Sequence, residues 1–270
     1  MKIIGQDQTL NEISRIFEIF KSSQQEIKPH FILAGASGSG KTLLINALSE
    51  QYELAFLEIN AAQLTKEGVS GNSLSKALAP LKDFANKPTV VFVDEWDKLF
   101  ISGNSNSNKA TESTTEVQNE FLKILEGDAA TVFGSYGSYD SVSIRNILFV
   151  FAGAFNNEPD VTLDRLREMG VKTEFLGRVG LIFNTTPLTV ENLYTILEQS
   201  DLLEKYNQLF SITDKQEIVE KLKYHINKNF EMNTLGARMV NTLIHQYFIK
   251  GGKIEEEVCK TVTFQSKLSL

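Results

Sequence analysis

The stretch GASGSGKT, residues 35–42, decides the fold of this 270-residue chain. It fits the pattern G-x-x-x-x-G-K-[ST] and lies between an apolar run typical of a strand and a helical pattern, where such a loop is expected. Its glycines let backbone N–H groups turn toward phosphate oxygens, and the following helix N-terminus adds a positive dipole. Lys41 can reach the β- and γ-phosphates of a nucleotide, and Thr42 can ligate Mg²⁺. The alternative, a glycine-rich turn without a ligand, fits this context less well.

Five short apolar runs, one of which leads into this loop, predict a parallel sheet. The run from Val90 to Val93 is unbroken, as expected of a strand that is buried on both faces. Helical patterns lie between the runs, and strands that alternate with helices indicate βαβ units. We therefore predict an α/β fold. The runs are HFILAG (30–35), LAFLEIN (54–60), TVVFVD (89–94), ILFVFAG (147–153) and GLIFNT (180–185).

Two segments interrupt the alternation of strands and helices. Residues 102–114 are polar and rich in serine and asparagine, which is typical of a loop. Residues 130–144 contain two β-like pieces around glycines and fit a hairpin. Between the two segments, the sequence predicts a helix behind a capping box of Thr115 and Gln118.

Helical patterns also mark the two ends of the chain and suggest two domains. An amphipathic helix is predicted over 10–20, and a further helix over 73–85. From about Pro187 onward the pattern is helical, although KTVTF near the C-terminus could be a strand. We predict a larger domain over 1–186 and a small helical domain over 187–270.

The run VVFVDE supplies the second chemical motif. Asp94, at the carboxyl end of a buried strand, can hold Mg²⁺ directly or through water, and the adjacent Glu95 can orient and deprotonate an attacking water. The alternative is that the two acidic residues are exposed to solvent at the end of a strand and have no catalytic role. About fifty residues after the phosphate loop, however, the pair indicates ATP hydrolysis rather than simple nucleotide binding.

Composition and charge limit the classes of partner that the protein is expected to have. The net charge of −7 gives no general attraction for nucleic acid. The single cysteine, Cys259, cannot form an intrachain disulfide, and no apolar run approaches the roughly 20 residues that span a bilayer. His30, His225 and His245 show no metal-ligand spacing and are expected to be structural. We expect a soluble cytoplasmic protein, with neither nucleic acid nor membrane as a partner.

With both motifs located, the chain resembles the AAA+ ATPases, which are P-loop NTPases, and within them the ClpX/HslU unfoldase clade. The resemblance covers nearly the whole chain, and the D-E-x-D-K extension and the G-A-F after the fourth strand are specific to the clade. The stretches that carry it are IIGQDQ (3–8), GASGSGKT (35–42), VFVDEWDKL (91–99), EVQNEFLKILEG (116–127), ILFVFAGAF (147–155), EFLGRVG (174–180) and GARMV (236–240).

The resemblance implies a five-stranded αβα core, a helical lid domain and a homo-oligomeric ring, in this family a hexamer. It places Ile3 and Ile4 beside the adenine, makes Arg178 the arginine finger that reaches a neighbouring subunit's γ-phosphate, and makes Arg238 sensor 2. A guanidinium beside developing phosphoryl charge stabilises the transition state. From sequence alone, either arginine could instead belong to a surface ion pair. The full nucleotide-binding set is Ile3, Ile4, Gly35, Ala36, Ser37, Gly38, Ser39, Gly40, Lys41, Thr42, Leu43, Asp94 and Arg238.

The sequence also departs from the family pattern. The zinc-binding N-terminal domain is not expected, since the chain begins at the adenine-flanking motif and has one cysteine. The peptidase-docking insertion is not expected either, because residues 156–173 run directly into EFLGR. Docking to a ClpP-like peptidase is therefore not expected. The end of the fourth strand, Ala152-Gly153, offers no polar sensor 1 side chain, and the nearby Asn156 stays unassigned.

The segment LTKEGVSGNSL, residues 64–74, occupies the position of the family's central pore loop. The resemblance makes Gly68, Val69, Ser70 and Gly71 its tip, where the family has an aromatic-aliphatic pair between two glycines. Valine buries less apolar area than an aromatic ring and cannot stack. We expect a weaker grip on a threaded polypeptide.

Together these observations predict an Mg²⁺-dependent, ATP-hydrolysing AAA+ protein-remodelling ATPase with ATP as its ligand. Two alternatives stay open. The first is a nucleotide-gated scaffold or adaptor in which turnover is incidental. The second is a nucleic-acid motor, which the charge disfavours. The sequence does not identify a client.

Overall fold

A computed structural model describes residues 3–65, 71–84, 87–100, 108–210 and 214–252, with 108–115 described by their backbone alone. The strands, in chain order, are β1 (Phe31–Ala34), β2 (Ala55–Asn60), β3 (Leu64–Thr65), β4 (Asn72–Ser73), β5 (Thr89–Asp94), β6 (Ala129–Phe133), β7 (Tyr139–Ser143), β8 (Ile147–Gly153) and β9 (Leu181–Asn184). The helices are α1 (Asp7–Ser22), α2 (Lys41–Gln51), α3 (Leu74–Ala77), α4 (Asn108–Glu126), α5 (Leu163–Glu168), α6 (Thr173–Arg178), α7 (Val190–Glu198), α8 (Asp201–Leu209), α9 (Lys215–Asn229) and α10 (Arg238–Ile249).

Five parallel strands form the central sheet in the order β2-β5-β8-β1-β9. All five correspond to the predicted apolar runs, so the predicted α/β fold with a five-stranded parallel sheet is confirmed. The register pairs Ala34 with Gly153 and Val93 with Phe151, which brings the carboxyl ends of β1, β5 and β8 to one edge. In parallel α/β sheets this edge is where ligands bind.

The sheet is covered on both faces, which explains why its inner strands are almost continuously apolar. Every residue of β8 is buried, and so are the first five of β5. Alternate residues enter two separate cores: Phe151 contributes to the core under α4 and α6, whereas Val150 contributes to the core under α1 and α2. The phosphate loop and the end of β5 therefore project from a rigid, two-sided scaffold.

Several predicted boundaries need correction. Helix α4 begins at Asn108, so 108–114 is helical rather than loop, and Thr115 lies inside the helix and not at its cap. The helix predicted over 73–85 breaks after α3 into a 3-10 helix, Ala79–Phe84, because Pro80 cannot donate the backbone hydrogen bond of a continued α-helix. The predicted hairpin is confirmed as the antiparallel pair β6–β7. The predicted loop residues 102–107 and the possible strand KTVTF lie outside the described residues.

The chain divides into two compact units. The first contains residues up to Asn192 together with Thr234–Ala237, and the second contains Leu193–Asn233 and the chain from Arg238 onward. In the second unit, α8, α9 and α10 bury apolar residues such as Leu203, Leu222 and Ile244. No helix in the described part of the chain is both long and apolar enough to cross a membrane.

Candidate nucleotide site

The phosphate loop, residues 35–42, leads from β1 into α2. Gly38 and Gly40 adopt positive φ angles of 73° and 94°, which only glycine takes without strain. Gly40 is the residue before the first turn of α2, and a Cβ built on it would meet no atom within 4 Å. The loop is therefore open on the side where the N-terminus of α2 presents its unsatisfied N–H groups.

Lys41 points back over the loop that precedes it. Its buried amine donates to the carbonyl oxygens of Gly35 at 2.7 Å and Ala36 at 3.0 Å. A buried ammonium requires such partners. These contacts hold a positive charge inside the loop, where a phosphate group would compensate it.

Close packing fixes the position of the loop. The Gly35 N–H donates to the Gly153 carbonyl at 3.2 Å, and a Cβ at Gly35 would lie only 1.7 Å from the Thr185 hydroxyl oxygen. At the tip, a Cβ at Gly38 would lie 2.1 Å from the Leu235 carbonyl oxygen, and the Gly38 carbonyl accepts from the Ala237 N–H at 3.0 Å. Glycine is thus required here for close approach as well as for φ.

The two acidic residues follow β5 directly. Asp94 is half-buried, and its Oδ1 accepts the backbone N–H of Glu95 at 2.8 Å. Glu95 is exposed and has a φ of 53°, a left-handed conformation that is strained for a non-glycine residue. On the neighbouring strand β2, partial burial and the negative charge of Asp94 raise the pKa of Glu58. This edge of the sheet is therefore acidic, which suits a cation.

A second polar connection, not found from the sequence, joins the end of β8 to the phosphate loop. The buried Asp97 accepts the Phe155 N–H through Oδ2 at 3.1 Å, and Asn157 accepts the Ser37 N–H through Oδ1 at 3.2 Å. The preceding residue, Asn156, is exposed. Of these two neighbouring asparagines, Asn157 is therefore the one whose side chain reaches the phosphate loop.

These residues fit a nucleotide with a magnesium ion. The loop offers an open N-terminal helix turn and a buried ammonium for phosphate oxygens. A hydroxyl at Thr42 and a carboxylate at Asp94 are the oxygen ligands that Mg²⁺ prefers. In the part of the chain that the structure describes, no group of three or more His, Cys, Asp or Glu side chains could hold a metal alone. Such a site suits a magnesium ion that is bound through few protein groups together with phosphate and water.

Comparison with known proteins agrees with this geometry. The model of the family described as "ATPase family associated with various cellular activities (AAA)" matches residues 31–175, which is more than half of the chain. The chain belongs to the AAA ATPase family. The match runs from β1 into α6 and so includes the phosphate loop, Asp94 and Glu95. The ATPase assignment thus coincides with the part of the molecule that carries the candidate site.

Within the AAA ATPases the chain is similar to proteins named ATP-dependent Clp protease ATP-binding subunit ClpX. It is 28% identical to ClpX 2 of Wolinella succinogenes over 81% of the chain and 64% of the relative. It is 26% identical to ClpX of Bacteroides fragilis over 90% of the chain and 71% of the relative. It is 30% identical to ClpX of Treponema denticola over 66% of the chain and 44% of the relative. The chain therefore spans roughly half to two thirds of the length of these proteins.

The two arginines lie in different surroundings. Arg178 is the last residue of α6 and donates to Glu126, the last residue of α4, at 3.2 Å. Both side chains are about half exposed, so the pair contributes little to stability. Arg238 is the first residue of α10 in the second unit. Within the first unit, the structure brings Lys41, Thr42, Asp94 and Glu95 to one edge of the sheet. Arg178 lies in a surface ion pair, which is the alternative that the sequence offered for this residue.

The remaining residues of the predicted nucleotide site and pore loop lie before α1, in α2 or partly outside the described residues. Ile3 and Ile4 are half-buried just before α1, and Leu43 is half-buried in the first turn of α2. Gly68, Val69 and Ser70 of the predicted pore loop lie outside the described residues, whereas Gly71 has a φ of 145°. The segment is closed at its base by two parallel strands, with Leu64 paired to Asn72 and Thr65 paired to Ser73.

Proposed function

We propose that the protein is a Mg²⁺-dependent ATPase that works as a ring oligomer and remodels other proteins. One observation carries the ATPase part: the phosphate loop after β1 and the acidic pair after β5 project from the same edge of a sheet in which only β8 separates the two strands. A loop for phosphates and a carboxylate for water activation at one edge are the requirements of nucleotide hydrolysis.

Each residue of the site has a proposed role. The backbone N–H groups at the start of α2 bind phosphate oxygens, and Lys41 transfers its ammonium contacts from the loop carbonyls to the β- and γ-phosphates. Thr42 and Asp94 would hold the metal ion, which would stabilise the phosphate charge. Glu95, exposed next to Asp94, orients the attacking water and accepts its proton. Ile3 and Ile4 bound the adenine, and Arg238 is proposed as sensor 2.

The arginine finger is proposed to act between subunits. Arg178 lies at the surface, and within the described residues its guanidinium pairs with the carboxylate of Glu126 in an exposed ion pair. A γ-phosphate of a neighbouring subunit can replace that carboxylate. A guanidinium supplied in trans stabilises transition-state charge and makes hydrolysis depend on assembly. That dependence requires an oligomer, and we propose a homo-oligomeric ring of six subunits from the resemblance to the family.

Protein remodelling is proposed from the similarity to the ClpX subunits, whose names describe ATP-binding subunits of a protease. We propose residues 1–186 as the nucleotide-binding domain, residues 187–270 as the lid domain, and Gly68, Val69, Ser70 and Gly71 as a weakly gripping pore loop. No ClpP-like peptidase is proposed as a partner. The client is a protein whose identity has to be found by capture.

The test uses two inactive variants. Glu95→Gln should bind ATP and assemble but hydrolyse it at least 100-fold more slowly, because the base is lost. Arg178→Ala should lose its ability to act on a neighbouring site. Mixing the two variants should restore ATPase activity, because Arg178 of a Glu95→Gln subunit can serve the intact Glu95 of an Arg178→Ala subunit. Wild-type activity that is independent of protein concentration, with no recovery on mixing, would refute the ring mechanism.

The Glu95→Gln variant also identifies the client. With ATP it should retain a bound protein that wild type releases, because stalled hydrolysis prolongs the ATP state. Lys41→Met, which weakens phosphate binding, is the matched control and should retain nothing. Equal ATPase rates of wild type and Glu95→Gln would contradict the proposed function.

A further inference from the structure

A buried glutamine just before α1 contacts both the phosphate loop and the end of the sheet. The side chain of Gln6 is 1% exposed. Its Nε2 donates to the Thr186 carbonyl at 2.7 Å, and its Oε1 accepts the Thr186 N–H at 2.9 Å. The same Nε2 lies 3.4 Å from the carbonyl oxygen of Ser39 in the phosphate loop, a longer and weaker hydrogen bond. One amide therefore joins three parts of the chain.

The position of Gln6 is unfavourable for the helix that it precedes. Gln6 is the N-cap of α1, but its side chain makes no capping hydrogen bond. Serine, threonine, aspartate and asparagine are the residues that cap a helix well. A residue that breaks a local rule without a local gain points to a role elsewhere. Here that role is the contact with Thr186 and Ser39.

The residues that Gln6 contacts are linked to the phosphate loop a second time. Thr185, the neighbour of Thr186, donates its N–H to the Ala34 carbonyl at 2.8 Å. The Thr185 hydroxyl oxygen packs against Gly35, leaving no room for a Cβ there. The dipeptide Thr185-Thr186 thus contacts the beginning of the loop directly and its middle through Gln6. Any shift of the loop must move this dipeptide, or break the hydrogen bonds of Gln6.

We propose that Gln6 is a positioning residue that couples nucleotide binding in the phosphate loop to the chain segment that leaves β9 at Thr186. The proposal rests on the proposed nucleotide function of the loop. Gln6 holds the Ser39 backbone in the conformation that binds phosphate. In return, bound phosphate stabilises the hydrogen bonds between Gln6 and Thr186. Since coupling is reciprocal, a change on either side must be detectable on the other.

The test substitutes Gln6 by methionine, which keeps the length of the side chain but removes its donors and its acceptor. Gln8→Met is the matched control, because Gln8 is exposed and its Nε2 donates to Glu12 at 3.1 Å, on the same helix. Three quantities are measured: the Kd for ADP, the KM and kcat for ATP, and hydrogen exchange at the Thr186 amide with and without ADP. Gln6→Asn, which keeps an amide that is too short for both contacts, is used if Gln6→Met does not fold.

In wild type and Gln8→Met, ADP should slow exchange at the Thr186 amide. In Gln6→Met, that exchange should be at least tenfold faster without nucleotide and should no longer respond to ADP. The Kd for ADP and the KM for ATP should rise about tenfold, whereas kcat should change less than threefold, because Gln6 does not touch the reacting atoms.

Three results would overturn the proposal, and they are distinguishable. An ADP affinity of Gln6→Met within twofold of wild type would make Gln6 a purely structural residue and leave the ATPase function intact. Weaker ADP binding with an unchanged ADP response at Thr186 would refute the coupling. A wild type that binds no nucleotide would refute the proposed function itself, and the unliganded exchange at Thr186 would then still show whether Gln6 holds that residue.

Discussion

His30 should make the protein sensitive to mild acid. It precedes β1, and its ring nitrogen Nδ1 accepts the backbone N–H of Phe149 in β8 at 3.0 Å. Its ring also meets the Phe149 ring edge to face at 5.6 Å. An imidazole whose Nδ1 accepts a hydrogen bond cannot be protonated there without losing that bond. Burial, and secondly the positive charge of Lys28, lower the pKa of His30 from 6.5 to about 4.

The size and the sign of the effect follow from this difference in pKa. The unfolded chain binds a proton at His30 near pH 6.5, whereas the folded chain does so only near pH 4. The stability is therefore fully present above pH 6.5 and is lost progressively as the pH falls toward 4. At about 1.4 kcal/mol per pH unit, and allowing for partial solvent contact, the loss is about 2 to 3 kcal/mol. That is a large fraction of the stability of a typical domain.

The measurement is the free energy of unfolding in urea between pH 4 and pH 7.5, for wild type and for His30→Gln. Wild type should lose about 2 to 3 kcal/mol more than His30→Gln over this range. His245→Gln is the control for the loss of a histidine, because the His245 side chain is exposed. If wild type and His30→Gln have parallel curves, His30 is not held neutral by the fold and the reasoning is wrong.

Two further predictions concern packing, one around the site and one in the second unit. A Cβ at Gly236 would lie 2.7 Å from the Ser37 carbonyl oxygen, whereas one at Gly251, which also has a positive φ, would meet nothing within 4 Å. Gly236→Ala should therefore weaken ADP binding at least tenfold, and Gly251→Ala should cost only about 1 kcal/mol of stability; equal effects of the two in an ADP titration would contradict this. Asn207 is buried and its amide has no hydrogen bond within the described residues. Asn207→Leu should raise the free energy of unfolding by about 1 to 2 kcal/mol. A lower free energy of unfolding in urea would instead show that the Asn207 amide is hydrogen-bonded.

The secondary structure could be predicted from the sequence wherever the local hydrophobic pattern matches the burial of the residues in the fold. The strands of the sheet are apolar because both faces are covered, so their positions could be found from the run of residues alone. The start of α4 could not, because Asn108 and its neighbours are polar and a helix can extend through them once a buried face such as Val117 and Phe121 has nucleated it. Helix propensity is a weak signal when packing elsewhere supplies the stability.

The site was predictable where a short motif contains its own chemistry, as in the phosphate loop. It was not predictable where two distant segments meet. Gln6 and Ser39 are 33 positions apart, and Gln6 and Thr186 are 180 apart, so no spacing rule links them. The N-cap position gave no signal in the sequence either, because the first helix was predicted over 10–20, and only the structure shows that Gln6 precedes α1 without capping it.

The turn after β8 shows why Asn157, rather than Asn156, reaches the phosphate loop. Phe155, Asn156 and Asn157 have consecutive positive φ angles of 48°, 57° and 57°. Each costs roughly 1 kcal/mol or more for a residue with a side chain, and asparagine tolerates this conformation best. Such strain persists only where surrounding contacts hold it. Here Asp97 binds the first residue of the turn and Ser37 binds the last. The turn therefore connects Asp97, which follows Glu95, to Ser37 of the phosphate loop. If either residue moves, the strained backbone of residues 155–157 can relax toward an ordinary conformation.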